Sequence, residues 1–408
     1  MTAYDVAFAT TVEDHVPRKP RGDRRKSPPW ARVSLTAGIV LALASGTAIT
    51  GLTVAEHQVN AALPDQDLLG SVKGSQQQAH AEVKGAKNIL LVSLDTRPSW
   101  SKTHEPSRSD SIIILHIPSD RSTAYMLSIP RDTLVDIPAY DNGVQKYAGG
   151  KNKINSAFSY GSRGLDGDKA IQDGTKLLAL TIQQKLGIVP DAAAIIDFSG
   201  FTQILQTLGK VCMYVDENVT SIHVGHDKNG KQAVPYKTDS AGANPRKIAG
   251  VTANKYTVGN HCFTPVEALD YARQRDLLAK GDGDYGRQRH QQQLLKAIMK
   301  TAVSKGLNSP TKLPGLVSAI GKAMVVDTGG ISLEDWLLSM RSINPDNLAT
   351  LKTNADSGGF RTVPPDQTPP GVGSSQYLDD QSLQMFQAAK NDTLAAFVLS
   401  HPTWLATT

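Results

Sequence analysis

The sequence predicts an α/β domain built on a layered, mostly buried sheet. Short apolar runs, helical stretches and their interleaving carry that reading. The runs NILLVSLD (88–95), SIIILHIP (111–118) and AYMLSIP (124–130) are 7 or 8 residues long and rich in Ile, Leu or Val. Continuous apolar runs of that length suit strands covered on both faces. AAAIIDF (192–198) and KVCMYV (210–215) read as further strands. Helical stretches fall at 175–186, 199–208, 265–273, 287–305, 332–343 and about 380–399.

Charge and length narrow the function classes. The chain has 408 residues, with 43 Lys+Arg against 38 Asp+Glu, a formal net charge of +5. Hydrophobic residues make up 40% and charged residues 20%, which excludes a wholly disordered chain and a polytopic membrane protein. Seven basic residues and four acids lie in the first 32 positions, so that tail holds three of the five net charges. A polybasic nucleic-acid binder would not concentrate its charge this way.

From Val33 to Ala55, 23 consecutive residues carry no charge. As a helix they would span roughly 34 Å, enough to cross a bilayer core of about 30 Å. Lys and Arg crowd the N-terminal flank, whereas Glu56 and His57 follow the segment. Residues 1–32 are therefore expected in the cytoplasm, 33–55 as a single-pass signal-anchor in the cell membrane, and the remainder outside. A cleaved signal would have a shorter apolar region, about 7–15 residues.

Residues 56–86 are polar and Gln-rich and read as an extracellular stalk. A catalytic domain is expected over 87–306, with a C-terminal helical extension over 307–408 packed on it. Within the domain, 216–262 is a Gly-, Lys- and Asn-rich excursion expected to hold a short hairpin. Cys212 and Cys262 both lie beyond the anchor, where an oxidising exterior permits a disulfide. Together with His223, His226 and His261 they show no zinc-ligand spacing.

Acids and arginines recur where strands end and helices begin. The first strand ends in Asp95-Thr96-Arg97, the second opens with Arg108-Ser109-Asp110, and the third runs into Arg131-Asp132-Thr133. Asp95 and Asp110 can share a site if their strands are antiparallel neighbours. Two carboxylates without His or Cys suit Mg²⁺. Further along stand Arg273-Gln274-Arg275 and then Asp284-Tyr285-Gly286-Arg287-Gln288-Arg289-His290-Gln291. Several guanidiniums converging on one point offer bidentate donors to a pyrophosphate. Singly, such pairs are ordinary surface ion pairs; their number is what counts.

The strings LVSLDTR…RSDSIIILHI, MLSIPRDTLVDIP, NKINSAFSYG, VEALDYARQR and DYGRQRHQQQLL occur here in one order. Together they resemble the LytR-CpsA-Psr (LCP) family of cell-wall glycopolymer transferases. The likeness runs from about Asn88 to Gly306, and more loosely to about Ser400. Ala- and Gly-rich usage with paired cysteines leans toward the actinobacterial type. The resemblance implies a central, mostly buried mixed sheet between helical layers, with an apolar groove for a polyprenyl chain. It implies transfer of an anionic glycopolymer, such as teichoic acid, from an undecaprenyl-pyrophosphate carrier to a peptidoglycan hydroxyl, releasing polyprenyl phosphate.

Carried over by motif, Asp95 and Asp110 are the acids linked to magnesium, with Mn²⁺ as a substitute. Arg108, Arg131, Arg273, Arg275 and Arg287 become the pyrophosphate-binding arginines, and Asp284 and Gln291 their polar partners. Lys153, Asn155 and Asp132 fall near the head group, and either Asp284 or Asp132 can take a proton. Two positions depart from the family pattern: Ser111 stands where Thr is commoner, and His290 where many members have Arg.

Three rivals remain. A polyprenyl pyrophosphatase would use water as acceptor, and a non-catalytic wall-assembly protein would only bind the lipid. A transcription regulator would need a cytoplasmic DNA-binding domain, yet the tail carries Pro17, Pro20, Pro28 and Pro29 and no helix-turn-helix pattern.

Overall fold

A computed structural model describes residues 66–70, 84–95, 107–239, 244–302, 304, 318, 321, 323–331, 336, 343, 347–357 and 361–406. The expected tail (1–32) and anchor (33–55) lie outside the described residues, as does most of the helix expected over 332–343. No described helix is long and apolar enough to cross a membrane.

Strands β1 (Lys87–Asp95), β2 (Arg108–Ile117) and β3 (Ala124–Ile129) form an antiparallel meander. Next come β4 (Leu134–Ile137), β5 (Tyr140–Asp141), β6 (Lys146–Tyr147) and β7 (Gly150–Lys153), in which β4 pairs with β7 and β5 with β6. Helices α1 (Asn155–Ser162) and α2 (Gly167–Leu186) lead to β8 (Ala192–Asp197), α3 (Phe198–Leu208) and β9 (Val211–Val215). The excursion holds β10 (Val219–Asp227), β11 (Gln232–Ala233), β12 (Tyr236–Lys237), β13 (Arg246–Lys247) and β14 (Val251–Tyr256). It is thus several short ladders rather than one hairpin. β15 (Gly259–Phe263) returns to β9, and Cys212 and Cys262, directly opposite each other there, are disulfide-bonded. After α4 (Pro265–Arg273) and α5 (Asp284–Ala302) come β16 (Met324–Asp327), β17 (Leu348–Leu351), α6 (Asp380–Lys390) and α7 (Leu394–Ser400).

Six strands form the central sheet in the order β16-β8-β1-β2-β3-β17. β8 runs parallel to β1 and β17 parallel to β3, and the other pairs are antiparallel, so the sheet is mixed. Period-two alternation divides its core. Leu90, Val92, Ile112, Ile114 and Leu127 pack beneath Phe158 of α1, Leu178 and Ile182 of α2, and the C-terminal Phe386 and Phe397. Ile89, Ile113, Leu115 and Met126 face the other way, toward Leu295 and Met299 of α5. Each such side chain, fully buried, contributes about 1.5–3 kcal/mol.

Residues beyond 306 do more than supply helices, since β16 and β17 are the two edge strands of this sheet. Part of the expected stalk is also docked. Leu68 and Leu69 are fully buried in the core, and the carboxylate of Asp327 accepts both their backbone N–H groups at 2.9 and 3.0 Å. Two adjacent leucines bury enough apolar area to hold a segment that is otherwise polar. α2 starts well before the expected 175, because its first turns (GDKAIQDG) show almost no apolar period. The expected helix at 380–399 is two helices, broken where Asp392 adopts φ +56°.

Candidate active site

A break in strand register places the central acid. Ser93 pairs with Ser111 and Leu94 with Ser109, which leaves Asp110 as an extra, unpaired residue in β2. Such bulges re-aim a side chain out of the strand's alternation. Asp110 is 6% exposed, and two guanidiniums meet its carboxylate. Arg131, just past β3, donates from Nη1 to Oδ1. Arg287, in the first turn of α5, donates from Nη1 to Oδ2 at 2.7 Å and from Nη2 to Oδ1 at 3.2 Å. Burial alone would raise the Asp110 pKa, but Arg287 and Arg131 reverse that, so the carboxyl ends below its usual range.

Asp284, at the start of α5, joins this group, with Oδ1 2.8 Å from Arg287 Nη2 and 3.4 Å from Arg131 Nη2. Asp132 lies on the outer side of Arg131, 3.8 Å from its Nε, and is also met by Lys153 Nζ at 3.0 Å. Lys153 reaches it because the β4–β7 ladder sets Lys153 opposite Leu134. Asn155 is buried, and its backbone N–H donates to the Arg131 carbonyl at 3.2 Å, fixing the turn that presents the arginine. Asp110, Arg131, Asp132, Lys153, Asn155, Asp284 and Arg287 therefore form one connected cluster.

One turn after Arg287, Gln291 lines an apolar cavity of about 360 Å³. The sheet supplies one wall through Ile89, Leu91, Ile113 and Ala194; α3, α4 and α5 supply the other through Phe201, Ile204, Leu269, Leu295 and Ile298. The small Ala192-Ala193-Ala194 run of β8 leaves room that bulkier strand residues would fill. Polar groups enter the lining at Asp327 and Thr328 toward one end, and at Ser93, Ser111, Asp197, Arg273 and Gln291 toward the other. Ser111 adjoins Asp110 in sequence and Gln291 follows Arg287, so this end abuts the carboxylate–guanidinium cluster. Gln291 Oε1 and the hydroxyl of Ser109 are buried with no hydrogen-bond partner among the described residues.

The remaining expected residues stand apart from the Asp110 contacts. Asp95 ends β1 opposite Arg108, and its side chain lies outside the described residues. Arg108 is exposed. Arg273 reaches the cavity from the last turn of α4, and Arg275 Nε lies 3.5 Å from Asp276. Between these two arginines, fully buried Gln274 is locked in place. Its Nε2 donates to Asp270 Oδ1 at 2.7 Å, and its Oε1 accepts from the Ile222 N–H at 3.0 Å. Asp270 also accepts from Ser221 and Tyr256. α4 itself is anchored by a capping box of Thr264 and Glu267, with Pro265 in its first turn. His223 sits beside the pair; burial, then Arg273 and Arg275, push its pKa down to about 4.

Sequence reasoning missed a second buried network behind the site. Arg289 binds Asp282, Glu217 and, at 2.7 Å through Nε, Asp216. Lys280 and Gln293 also hold Asp216. His290, fully buried and stacked on Tyr271, lies 3.3 Å from Glu217. Asp216, Glu217 and His290 are close enough to ligate a metal, but Arg289 and Lys280 already neutralise the carboxylates, so the group serves as a brace for α5.

The Asp110 carboxylate is likewise neutralised, by Arg131 and Arg287, so a hard cation at that corner would share it with the two guanidiniums. The donors are all oxygens, and a carboxylate has about four lone-pair sites, of which the arginine N–H groups take three. The unpaired Ser109 and Gln291 oxygens are further hard donors.

Residues 52–391 match the LytR_cpsA_psr family, and the chain belongs to that family. It is similar to the regulatory protein MsrR of Staphylococcus aureus (strain Mu50), 31% identical over 301 residues that cover 71% of this chain and 74% of the relative. It is also similar to the polyisoprenyl-teichoic acid–peptidoglycan teichoic acid transferase TagT of Bacillus subtilis (strain 168), 26% identical over 263 residues, covering 64% of this chain and 66% of TagT. The crystal structure of protein gbs0355 from Streptococcus agalactiae has the same fold, with a TM-score of 0.54 at 23% identity over 78% of this chain and 91% of that one.

Proposed function

We propose that this chain moves an anionic glycopolymer from an undecaprenyl-pyrophosphate carrier to a peptidoglycan hydroxyl, releasing polyprenyl phosphate. The observation that carries this reading is a buried two-arginine clamp, Arg131 and Arg287 on Asp110, abutting one polar end of an apolar cavity. A lipid diphosphate needs that pairing of a greasy slot and fixed positive charge. The name of TagT, a relative, supports the same transfer class.

In this mechanism the cavity takes the polyprenyl chain and keeps water from it. Arg131, Arg287, Arg273 and Arg275 hold the diphosphate, with Arg108 at the rim. Asp110 fixes the orientation of the two inner guanidiniums before substrate arrives. A Mg²⁺ ion held by Asp110 and Asp95 would supply further neutralisation of the diphosphate charge. The acceptor hydroxyl oxygen bonds to the sugar-proximal phosphorus while the bond to the lipid phosphate breaks. Its proton passes to Asp284 or Asp132, and the lipid phosphate leaves as an anion paired with arginine. A loose phosphoryl transition state asks little of the base, so positioning and charge carry the rate. Residues 33–55 would anchor the chain, with the catalytic domain outside the cell membrane.

The test supplies a polyprenyl-pyrophosphoryl glycan with peptidoglycan oligomers and identifies the products by mass spectrometry. A glycan–phosphate–peptidoglycan adduct with released polyprenyl phosphate is expected. Lipid phosphate formed without any adduct would reduce the activity to hydrolysis, and no turnover at all would refute the proposal.

A further inference from the structure

The near-neutral exported chain conceals a strongly segregated surface. Residues 228–255 contain Lys228, Lys231, Lys237, Arg246, Lys247 and Lys255 against one acid, Asp239. That net of five positive charges equals the formal charge of the whole protein. All six cations are exposed, and none has an ion-pair partner among the described residues. Asp227, the nearest acid before them, is occupied by its own turn, accepting the N–H groups of Asn229 and Lys231 at 2.8 and 2.9 Å.

The excursion that bears these charges is rooted on the arginine pair. Thr220 N–H donates to the Leu277 carbonyl at 3.1 Å, Ala279 N–H to the Asn218 carbonyl at 3.0 Å, and Ile222 N–H to Gln274. β10 pairs with β14 at Thr220–Lys255 and again at Gly225–Ala253, so residues 221–224 bulge out of the ladder. The hydroxyl of Ser221 holds the bulge by accepting from His223 and Val224 N–H at 3.1 and 2.8 Å. The bulge thus packs on the segment between Arg273 and Arg275, and from it the ladder runs outward toward Asp227 and the lysines. β14 alone extends roughly 20 Å at about 3.3 Å per residue.

We propose that this excursion is a tracking surface that holds the anionic polymer part of the donor. The inference rests on the proposed transfer reaction and adds to it the part of the fold along which the polymer runs. A chain whose diphosphate end lies at Arg273 and Arg275 leaves the site along β10 and meets one unpaired cation after another. Binding is electrostatic, spread over many weak contacts, and strongly salt-dependent.

The experiment uses the full-length protein in detergent and a variant with Lys228→Gln, Lys231→Gln, Lys237→Gln, Arg246→Gln, Lys247→Gln and Lys255→Gln. Circular dichroism and thermal midpoint verify that the variant is folded. Two readouts follow: binding of lipid-free poly(glycerol phosphate) at low and high salt, and KM for polyprenyl-pyrophosphate donors bearing either an anionic polymer or a single neutral disaccharide. The wild type should bind the free polymer, and the variant should lose about tenfold or more of that affinity. Its KM should rise for the polymeric donor alone. Equal binding by both proteins, or an equal KM rise for both donors, would overturn the proposal. So would loss of binding to phosphatidylglycerol-containing vesicles with polymer binding intact, since the surface would then face a membrane. If the wild type turns over neither donor yet polymer binding tracks the six cations, the transfer reading fails and the surface stands.

Discussion

Arg287 donates through both terminal nitrogens to the carboxylate of Asp110, a residue 177 positions earlier in the chain. α5 is thereby pinned to the one unpaired residue of β2, and Gln292, also on α5, donates to Ser128 Oγ in β3. The acid is held by the groups that in the proposed reaction would hold a substrate anion, so it sets their geometry in advance of binding.

Replacing Asp110 with Asn should therefore have two consequences. Two inner guanidiniums lose their buried counter-charge, which costs about 3 kcal/mol of stability. Inorganic pyrophosphate should restore part of the lost thermal midpoint in Asp110→Asn while shifting the wild type less. Lipid pyrophosphate turnover should fall about a hundredfold or more. A denaturation series with and without pyrophosphate checks the first effect, and product release checks the second.

The brace behind the site should make the fold acid-sensitive through Asp216. Burial opposes its ionisation, but Lys280, Gln293 and Arg289 bring its pKa to about 2 from an ordinary 3.8. A depressed carboxyl pKa stabilises the fold fully above the unfolded value and loses that contribution as pH falls through the folded one. About 2 kcal/mol should disappear between roughly pH 4 and pH 2. Urea unfolding at those two pH values should show this loss in the wild type and a smaller one in Asp216→Asn.

Filling the cavity should separate lipid binding from folding. Ala194→Trp projects a large side chain into the space of about 360 Å³. Its thermal midpoint should stay near that of the wild type, because an empty space is filled rather than a packed core strained. Affinity for polyprenyl phosphate should fall about tenfold or more, the loss of one deep apolar contact. Quenching of a fluorescent prenyl probe measures it.

The disulfide should matter to stability alone. It closes a separation of 50 residues between β9 and β15, on their exposed face. The Cys212→Ser/Cys262→Ser protein should lose up to about 4 kcal/mol in denaturant titration and keep its KM for lipid donor.

How far the sequence alone reaches is clear from particular residues. β1, β2 and β3 are legible because strands buried on both faces are continuous apolar runs. The first turns of α2 are not, since Asp168, Lys169 and Gln172 break any apolar period. β16 and β17 are short and find their place only by adding to edges already formed. The cluster around Asp110 was legible as a set of motifs, yet its construction required the bulge, which only the register between β1 and β2 reveals. An apolar groove was implied by the resemblance, but its lining was hidden because Ile113, Leu295 and Phe201 look like ordinary core residues. The cationic excursion was masked by near-neutral totals, because its charge is balanced by acids elsewhere.

The most direct measurement is a crystal structure with a non-hydrolysable polyprenyl diphosphate bound. Its phosphates should lie against Arg131, Arg287 and Arg273, with the prenyl chain between Ile113 of the sheet and Leu295 of α5. A diphosphate bound away from those arginines, or a prenyl chain outside that cavity, would contradict the assignment of this site as the place where a lipid-linked polymer is handed on.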